Sequence, residues 1–509
     1  MKKYRLLMLT TLIISGCSMV YELIISAVSS YLVGDSTLHY SITIGLYMFA
    51  MGVGSYLSKF IKKDLFNWFA NIEIGVGVIG GLSSLLLFLA NLYLESYELV
   101  MYVEIILIGT IVGAEIPVLT RIIEEDNKDL RITLSSLFSF DYIGGLIGSV
   151  AFPLLLMPKL GFFATSFMAG TFNLICACLI VFKYQKRIRG AKYYKAVTIM
   201  LMISMISGMI ISENIGRYIE NGLYRDTVVM SEQTPYQKIV VTRHKDDVRL
   251  YIDGNVQFSS MDEYRYHEAL VHIPMSIASD RNEVLILGGG DGMAARELLK
   301  YPETNITMVD LDSEMTRICS ENKVIASLNQ GSLDSDRLTI INTDAYEYLE
   351  KCNKKYGVVI VDLPDPNNEA LAKLYSNVFY RMCGNVLMDG GVLNIQSTSP
   401  YYATKSFWSV TKTLESEGFK VAPYHLQVPA FGDWGFNMAV KDDNIYISNP
   451  DDIVIDPSIE TKFLTEDNIS ALFKFGKDER PAEGEVIEVN QLTKPVMIQY
   501  YNDAVRNWE

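Results

Sequence analysis

The stretch Val284-Leu-Ile-Leu-Gly-Gly-Gly-Asp-Gly292 decides the fold of the second half of this chain. Its four apolar residues predict a buried strand, and the glycine run after them predicts a tight turn at which a nucleoside ligand can approach the backbone. Further along, Asp362-Leu-Pro-Asp365 places two carboxylates at the end of another apolar strand. Together the two stretches predict an adenosyl-type ligand beside an acidic pocket that suits a cationic amine.

Strands and helices alternate along the chain after this turn. The predicted strands are 284–287, 306–310, 338–342, 358–362, 392–396 and 421–427, with 438–441 as a seventh candidate. Helical spacing fills the intervals, for example at 294–301, 314–322 and 377–387. This alternation predicts an α/β Rossmann-like domain of the class I methyltransferase type, in which a mostly parallel sheet is covered on both faces.

Four carboxylates follow the predicted strands at their carboxyl ends, where ligands of such sheets bind. They are Asp291, Asp310, Asp344 and Asp362. We expect these side chains to share one edge of the sheet. Two alternatives stay open, since Asp344 can be the N-cap of a helix at 345–351 and Asp365, before a proline, can simply start a turn.

The spacing around the glycine turn distinguishes two kinds of nucleoside ligand. Asp310 lies 22 residues after Gly288, which suits a carboxylate that accepts hydrogen bonds from ribose hydroxyls. Gly288 and Gly290 begin the pattern, but Met293 occupies the place of the third glycine of the dinucleotide fingerprint. The stretch therefore favours an adenosyl donor over a dinucleotide.

Short strand patterns precede the Rossmann-like domain. Segments at 227–230, 238–242, 249–252 and 256–258, with a turn at Asp253-Gly254, predict a small antiparallel β domain over 223–262. We interpret 213–222 as a linker. The Rossmann-like domain then occupies 263–450, and 451–509 form a C-terminal extension.

Residues 1–212 consist almost entirely of apolar runs separated by short charged clusters. A membrane helix needs about 20 apolar residues, and about seven candidate spans meet this condition, of which the last is short. They are 6–33, 40–60, 70–94, 100–123, 136–157, 160–183 and 196–212. We predict a polytopic α-helical domain in the cell membrane.

Basic residues cluster before the first candidate span and after the second, fourth and sixth, whereas the alternate loops contain only Lys159. The positive-inside rule therefore predicts a cytoplasmic N-terminus. Seven crossings from that start would leave the second half outside the cell, although nucleoside donors and amines are made inside. Either one segment does not cross or the second half faces outward, and the sequence leaves its side open.

Acidic residues fall in or near the candidate spans, where a charge is costly and often marks a polar path or a cation site. They are Glu22, Glu73, Glu104, Glu115 and Asp141, of which Glu22 and Asp141 are the deepest in the apolar runs. The alternative is that several lie at helix ends, where they contact headgroups or pair with a lysine.

The chain after residue 212 is strongly acidic, with 28 of the 44 basic and 46 of the 59 acidic residues. This charge argues against a nucleic-acid partner, whose phosphates need a basic surface. It suits a cationic substrate, although an acidic surface is also an ordinary means of staying soluble. The six cysteines are scattered without a CxxC pair, so we expect neither a zinc site nor a disulfide framework.

Many ordered motifs between about 230 and 445 resemble the polyamine aminopropyltransferases, the spermidine synthases. They are Tyr236-Gln237, Ile252-Asp-Gly-Asn-Val-Gln257, Asp262-Glu263, Tyr266-His-Glu268, the glycine turn, Asp344, Asp362-Leu-Pro-Asp-Pro366, Leu374-Tyr375, Phe379-Tyr380, Gly390-Gly391, Gln396 and Val428-Pro429. The apolar first half resembles the membrane-anchored bacterial branch of that family, which carries an N-terminal multi-pass domain.

The resemblance implies transfer of an aminopropyl group from decarboxylated S-adenosylmethionine, a co-substrate and not a bound cofactor, to putrescine or a similar amine. Spermidine and methylthioadenosine would be the products. By position it implies Asp362 as the general base and no metal. It implies donor contacts from Gln237, Gly288, Gly290, Asp291, Gly292, Asp310, Asp344 and Ala345, and amine contacts from Tyr236, His267 and Asp365. A lipid bilayer, and a homodimer through the catalytic domain, are the implied macromolecular partners.

Some positions depart from the family pattern. Asp310 stands where the soluble enzymes usually have Glu, and Ala345 replaces a frequent glycine. The distal ammonium of a diamine needs a further acidic partner, for which Glu263 and Glu369 are the candidates. Two other functions stay open: a methyltransferase that uses intact S-adenosylmethionine, and a polyamine transporter or sensor whose soluble domain only binds.

Overall fold

The computed structural model describes residues 5–33, 36–94, 97–125, 130–224, 226–441 and 449–508. It divides into two compact units, Met1–Val228 and Val229–Glu509. The first unit is built from helices, and the second is built around two β-sheets. The domain boundaries inferred from the sequence stay predictions.

Long helices form the described part of the first unit. They are α1 (Arg5–Val33), α2 (Ser36–Leu57), α3 (Leu65–Tyr93), α4 (Tyr97–Glu124), α5 (Leu130–Ala151), α6 (Met157–Lys183), α7 (Ala191–Ile210) and the shorter α8 (Ser212–Leu223). Six stretches of the described residues are long and apolar enough to cross a membrane. The fifth, Arg131–Lys183, contains two of the predicted spans, and its backbone leaves the helical conformation at Gly161.

Glycines allow three helix pairs of this unit to touch backbone to backbone. A Cβ at Gly113 on α4 would lie 2.0 Å from the carbonyl oxygen of Met51 on α2, and one at Gly148 on α5 would lie 2.3 Å from that of Gly16 on α1. On α3, Gly77 and Gly81 approach Gly170 of α6 in the same way. Gly-xxx-Gly spacing of this kind is typical of helix packing inside membranes.

The prediction of a linker at 213–222 was wrong, because this segment forms helix α8. Ile215 and Ile219 are four residues apart and therefore lie on one face, which packs into the apolar core of the helical unit. Glu213 and Arg217 lie on exposed positions of the same helix. Polar residues surround this short apolar stripe, so the composition of the segment resembles that of a linker although the segment forms an amphipathic helix.

A four-stranded sheet follows the helices. Its strands are β1 (Thr227–Gln233), β2 (Lys238–His244), β3 (Asp247–Ile252) and β4 (Asn255–Ser259), in that order. β3 is antiparallel to both β2 and β4. The predicted turn at Asp253 and Gly254 has positive φ at both residues, which matches the twist of a tight hairpin.

The main sheet has seven strands in the order β10-β11-β9-β8-β5-β6-β7. They are β5 (Glu283–Gly288), β6 (Asn305–Asp310), β7 (Leu338–Asn342), β8 (Tyr356–Asp362), β9 (Leu387–Gln396), β10 (Lys420–Val428) and β11 (Gly432–Val440). β5 to β9 are parallel, whereas β10 and β11 are antiparallel at one edge. The mostly parallel sheet was therefore predicted correctly, although β11 begins earlier than expected.

Helices cover both faces of the main sheet. They are α9 (Glu263–Ile277), α10 (Met293–Leu298), α11 (Ser313–Glu321), α12 (Lys323–Leu328), α13 (Ala345–Lys351), α14 (Glu369–Ala372), α15 (Asn377–Val386), α16 (Thr404–Ser416), α17 (Glu466–Leu472) and α18 (Val496–Trp508). Alternate residues of β5 enter two separate cores, Val284 and Ile286 in one and Leu285 and Leu287 in the other. Burial on both faces explains why the strand is a continuous apolar run.

The chain order reverses at β5, which defines the place where a ligand can bind. After β5 the chain adds β6 and β7 on one side, and then returns to add β8 and β9 on the other. Gly288 at the end of β5 is in register with Asp362 at the end of β8. A crevice outside the carboxyl ends of the strands at such a switch point is the usual ligand site of parallel sheets.

Candidate active site

The floor of the candidate site is the turn between β5 and α10. Gly288 and Gly292 have φ angles of 87° and 81°, which glycine adopts without strain. A Cβ at Gly288 would lie 2.1 Å from the carbonyl oxygen of Asp362, and one at Gly290 would lie 2.6 Å from Oδ2 of Asp310. The amide of Gly290 donates a 3.0 Å hydrogen bond to that Oδ2. The glycines therefore let the turn lie directly against the ends of β6 and β8.

Two of the carboxylates expected at this edge, Asp310 and Asp362, lie directly against the glycine turn. Burial is the main cause that raises the pKa of Asp310 and of Asp362 to about 6, and the nearby charge of Asp291 raises both further. The expectation named four carboxylates. The structure brings Asp291, Asp310 and Asp362 to the glycine turn, whereas Asp344 lies one strand further, at the start of α13.

A tyrosine of α9 holds Asp362. The hydroxyl of Tyr266 donates a 2.5 Å hydrogen bond to Oδ1 of Asp362. Burial and the charge of Asp362 raise the pKa of Tyr266 well above its ordinary value, so the phenol stays a donor. Sequence reasoning quoted this residue within a motif but did not assign it to the site, because nothing in the motif shows which side chain faces the carboxylates.

His267 belongs to a buried charge network behind Asp362. Its Nδ1 lies 2.9 Å from Oε2 of Glu263, and Arg296 contacts both carboxylate oxygens of Glu263 at 2.9 Å. Burial would lower the pKa of His267, but the hydrogen bond and charge of Glu263 more than offset this and raise the pKa to about 9. The imidazole is therefore cationic beside Asp362, whose ionised form it favours.

This network alters two expectations. The resemblance implies that His267 contacts the amine, but a cationic imidazole repels an ammonium. The position of His267 favours instead an interaction with the carboxylates of Glu263 and Asp362. Glu263 was considered as a partner for the distal ammonium, but Arg296 occupies both of its oxygens. Burial would raise the pKa of Glu263, yet His267 and Arg296 lower it to about 2.

A second polar pocket surrounds Asp365. Gln396 Nε2 and Thr398 Oγ1 each donate a 3.3 Å hydrogen bond to its carboxylate, and the hydroxyl of Tyr501 also donates to it. Trp434 Nε1 donates to Oε1 of Gln396 at 3.2 Å. Burial raises the pKa of Asp365 to about 6, although the three donors oppose this shift.

Tyr501 comes from α18, far from the predicted Rossmann-like domain. Met497 of the same helix is fully buried in the core on that face of the sheet. The Asn490 side chain, just before the helix, donates to the carbonyl of Ala372 at 3.0 Å. Residues 451–509 were predicted only as a C-terminal extension, because no spacing or motif in them connects Tyr501 with Asp365.

The loop between β1 and β2 lies against the end of β6. Gln237 Nε2 and Thr234 Oγ1 donate to Oδ2 of Asp312 at 2.9 and 2.7 Å. The amide of Asp312 in turn donates to Oδ1 of Asp310 at 2.9 Å. Gln237 thus lies at the end of β6 through its contact with Asp312, which sequence reasoning missed, and its contact with a donor stays a prediction. The side chain of Tyr236 is 58% exposed, and its predicted contact with the amine stays a prediction.

Asp344 and Ala345 lie at the start of α13, one strand beyond Asp310. Asp344 accepts a hydrogen bond from the amide of Tyr346 and therefore caps the helix, as the alternative interpretation allowed. It also pairs with Lys373 at 2.6 Å. Burial would raise the pKa of Asp344, but Lys373 and the capping amide lower it.

Comparison with known proteins covers both units. A family described as "Spermine/spermidine synthase domain" matches residues 263–450. Polyamine aminopropyltransferase of Leptospira interrogans is 39% identical over 503 residues, 99% of this chain and 98% of that protein. Polyamine aminopropyltransferase 2 of Ralstonia nicotianae is 39% identical over 98% of each chain. A crystal structure of spermidine synthase in complex with the transition state analogue AdoDATO aligns with 49% of this chain and 85% of its own, at 26% identity and a TM-score of 0.45.

Proposed function

This chain belongs to the polyamine aminopropyltransferases, and on that premise we propose that it transfers the aminopropyl group of decarboxylated S-adenosylmethionine to putrescine or a similar amine. Spermidine and methylthioadenosine are the products. The observation that carries the proposal is the cluster of Asp291, Asp310 and Asp362 around the glycine turn. Such a cluster attracts both a sulfonium donor and an ammonium acceptor.

The donor lies along the turn in this proposal. Asp310 accepts hydrogen bonds from the ribose hydroxyls, since it stands at the end of β6 and its carboxylate already lies against Gly290. Gly288 and Gly292 give the turn its backbone conformation, and the nucleoside lies against that backbone. Gln237, Asp291, Asp344 and Ala345 complete the donor contacts.

Asp362 takes the proton from the attacking amine. An alkyl ammonium has a pKa near ~10.4, by analogy with Lys, and cannot attack until it loses a proton. Burial raises the pKa of Asp362 to about 6, which brings it closer to the pKa of the amine. The carboxylate is nevertheless ionised at neutral pH and can accept the proton. The nitrogen then forms a bond to the carbon beside the sulfonium, the carbon–sulfur bond breaks, and the electron pair leaves on sulfur.

Asp365 holds the amine while this occurs. Its position three residues after Asp362 and its ring of neutral donors support an anionic contact for the acceptor. Alignment of the nitrogen with the carbon–sulfur bond supplies much of the rate, because the sulfonium is already a good leaving group. No metal enters any of these steps.

The donor decides between this function and a methyltransferase. Intact S-adenosylmethionine carries a carboxylate, which the acidic cluster repels, and the decarboxylated donor lacks it. We expect the purified full chain to convert putrescine to spermidine, detected by mass, with the decarboxylated donor alone. Methylated putrescine from the intact donor would instead establish a methyltransferase, and amine binding without either product would favour a sensor or transporter.

We further propose that the helical unit lies in the cell membrane with a cytoplasmic N-terminus. Large apolar side chains such as Phe49, Leu154 and Ile210 are 67%, 74% and 74% exposed, which a lipid environment explains. Six crossings would return the chain to the cytoplasm and seven would not, and protease accessibility in intact cells distinguishes the two. A homodimer through the catalytic domain stays a prediction.

A further inference from the structure

Four glutamates are buried inside the helical unit without a basic partner among the described residues. They are Glu22 on α1, Glu73 on α3, and Glu104 and Glu115 on α4, with exposed fractions of 8%, 0%, 4% and 5%. A carboxylate in an apolar interior is costly unless a cation or hydrogen-bond donors compensate it. Their burial therefore needs an explanation that packing alone does not give.

The two carboxyl oxygens of Glu73 differ in their hydrogen bonding to the described residues. The hydroxyl of Tyr21 donates to Oδ1 of Asn173 at 3.3 Å, and Nδ2 of Asn173 donates to Oε2 of Glu73 at 3.3 Å. Oε1 of Glu73 is buried and accepts no hydrogen bond from any described residue. Glu115 lies on α4, which packs beside this part of α3, since a Cβ at Gly75 would lie 3.7 Å from the side chain of Ile111. Glu73 thus presents a buried oxygen that accepts no hydrogen bond from the described residues, with a second buried carboxyl on the adjacent helix.

Acidic groups occur at more than one level of the bundle. Glu104 precedes Glu115 by three turns of α4, a rise of about 16 Å, and neither of its buried oxygens has a described partner. The acids are therefore spread along the interior and not gathered at one point.

We propose that Glu73 and Glu115 form a second binding site, in the helical unit, for a linear di- or polyammonium ion. Carboxyls at two levels of α4 suit a cation whose charges are separated by methylenes, and Val112, which lies between Glu104 and Glu115 on that helix, belongs to the apolar core. A compact metal ion fits less well. Among the described residues, the acidic or histidine side chains with three ligand atoms within 4.8 Å of one another are His425, Asp433 and Glu479, in the other unit.

The choice of an amine as ligand rests on the proposed function, so the test separates the two sites. The full chain carrying Asp362→Asn and Asp365→Asn, purified in detergent, is dialysed against radiolabelled spermidine. We expect one saturable site to remain, and Glu73→Gln with Glu115→Gln to weaken it by about tenfold or more. Glu98→Gln, an exposed acid on the same helix, is the matched control and leaves binding unchanged.

Equal binding with and without the Glu73 and Glu115 substitutions overturns the proposal, as does displacement of spermidine by an equimolar divalent metal.

A measurement without substitutions covers the case in which those variants do not fold. A hydrophobic carbodiimide modifies buried carboxyls, and peptide mass spectrometry should detect protection of Glu73 and Glu115 by spermidine; modification that spermidine does not reduce contradicts the site. Methylthioadenosine release by the unsubstituted chain is measured in parallel, so absent transfer counts against the proposed function alone.

Discussion

Asp362 combines a buried carboxyl, a tyrosine donor and a cationic histidine within one small volume, which is the arrangement expected of a proton acceptor. Asp362→Asn keeps the shape but removes the basic oxygen. We expect the rate of methylthioadenosine release to fall by about 10²–10⁴-fold. Donor affinity, measured by calorimetry, should change little.

Asp389→Asn is the control for this substitution, because Asp389 is an exposed aspartate of β9 and should tolerate the change. Full activity in Asp362→Asn would remove Asp362 from the role of base.

The pKa values of Asp362 and Asp365 lead to a prediction of how activity depends on pH. Burial raises the pKa of each to about 6, and both must be ionised to bind and deprotonate the amine. The active form is therefore present above that pKa and is lost as the pH falls through about 6. We expect log kcat/KM for the amine to decline below this pH with a slope approaching two.

The variant Asp365→Asn separates the two groups, since its residual activity should decline with a slope of one. A profile that stays flat down to pH 5 would contradict both assignments.

A further prediction concerns Tyr501, in the polar pocket that surrounds Asp365. Tyr501→Phe removes a hydrogen bond to the Asp365 carboxylate and should reduce kcat/KM for the amine about tenfold, mostly through KM. Tyr500→Phe is the control, because the Tyr500 hydroxyl accepts from the backbone of Glu488, away from Asp365. An equal loss in both variants would indicate that the effect comes from packing of α18.

The carboxylates at the strand ends were predicted from the sequence, whereas the residues that contact them were mostly missed. Asp291, Asp310 and Asp362 follow apolar strands, so their common edge follows from parallel pairing. Asp312 and Tyr501 reach the same site through a side-chain relay and a distant helix. Neither connection has a local signature, because both depend on how separate segments pack.

The α9 and α10 helices are joined by the buried pair of Glu263 and Arg296. Arg296→Ala leaves Glu263 without its partner and should lower the free energy of unfolding by about 3–5 kcal/mol, measured by chemical denaturation of the full chain. Because the pKa of Glu263 is depressed to about 2, the stabilisation is present above its unfolded pKa near ~4.3 and is lost as the pH falls toward 2.

Arg317→Ala is the comparison for this element. Arg317 pairs with Glu314 and Glu321 on the exposed face of α11, where solvent screens the charges, so its loss should have little effect. Equal destabilisation by the two substitutions would contradict the importance of burial.

Elements were predicted best where burial is uniform. β5 and β8 are apolar on both faces and were found within two residues of their limits. α8 was missed because its apolar stripe is only Ile215 and Ile219 among polar residues. β11 was shortened because its first residues, Gly432 to Trp434, are only partly buried and carry no strand pattern.

The whole chain should behave as an integral membrane protein. We expect it to stay in the membrane pellet after an alkaline carbonate wash, because the helical unit exposes apolar side chains that lipid must cover. A chain that starts at Val229 should appear in the supernatant under the same conditions. Release of the full chain by carbonate would contradict membrane insertion.

Tyr501 has a consequence for the order in which the protein matures during synthesis. The ribosome makes the helical unit first, then the glycine turn, and reaches Tyr501 only 136 residues after Asp365. Until that tyrosine has emerged and α18 has docked, Asp365 lacks one of its three hydrogen-bond donors. The contact proposed for the amine is therefore completed late, after the residues of the glycine turn have been made.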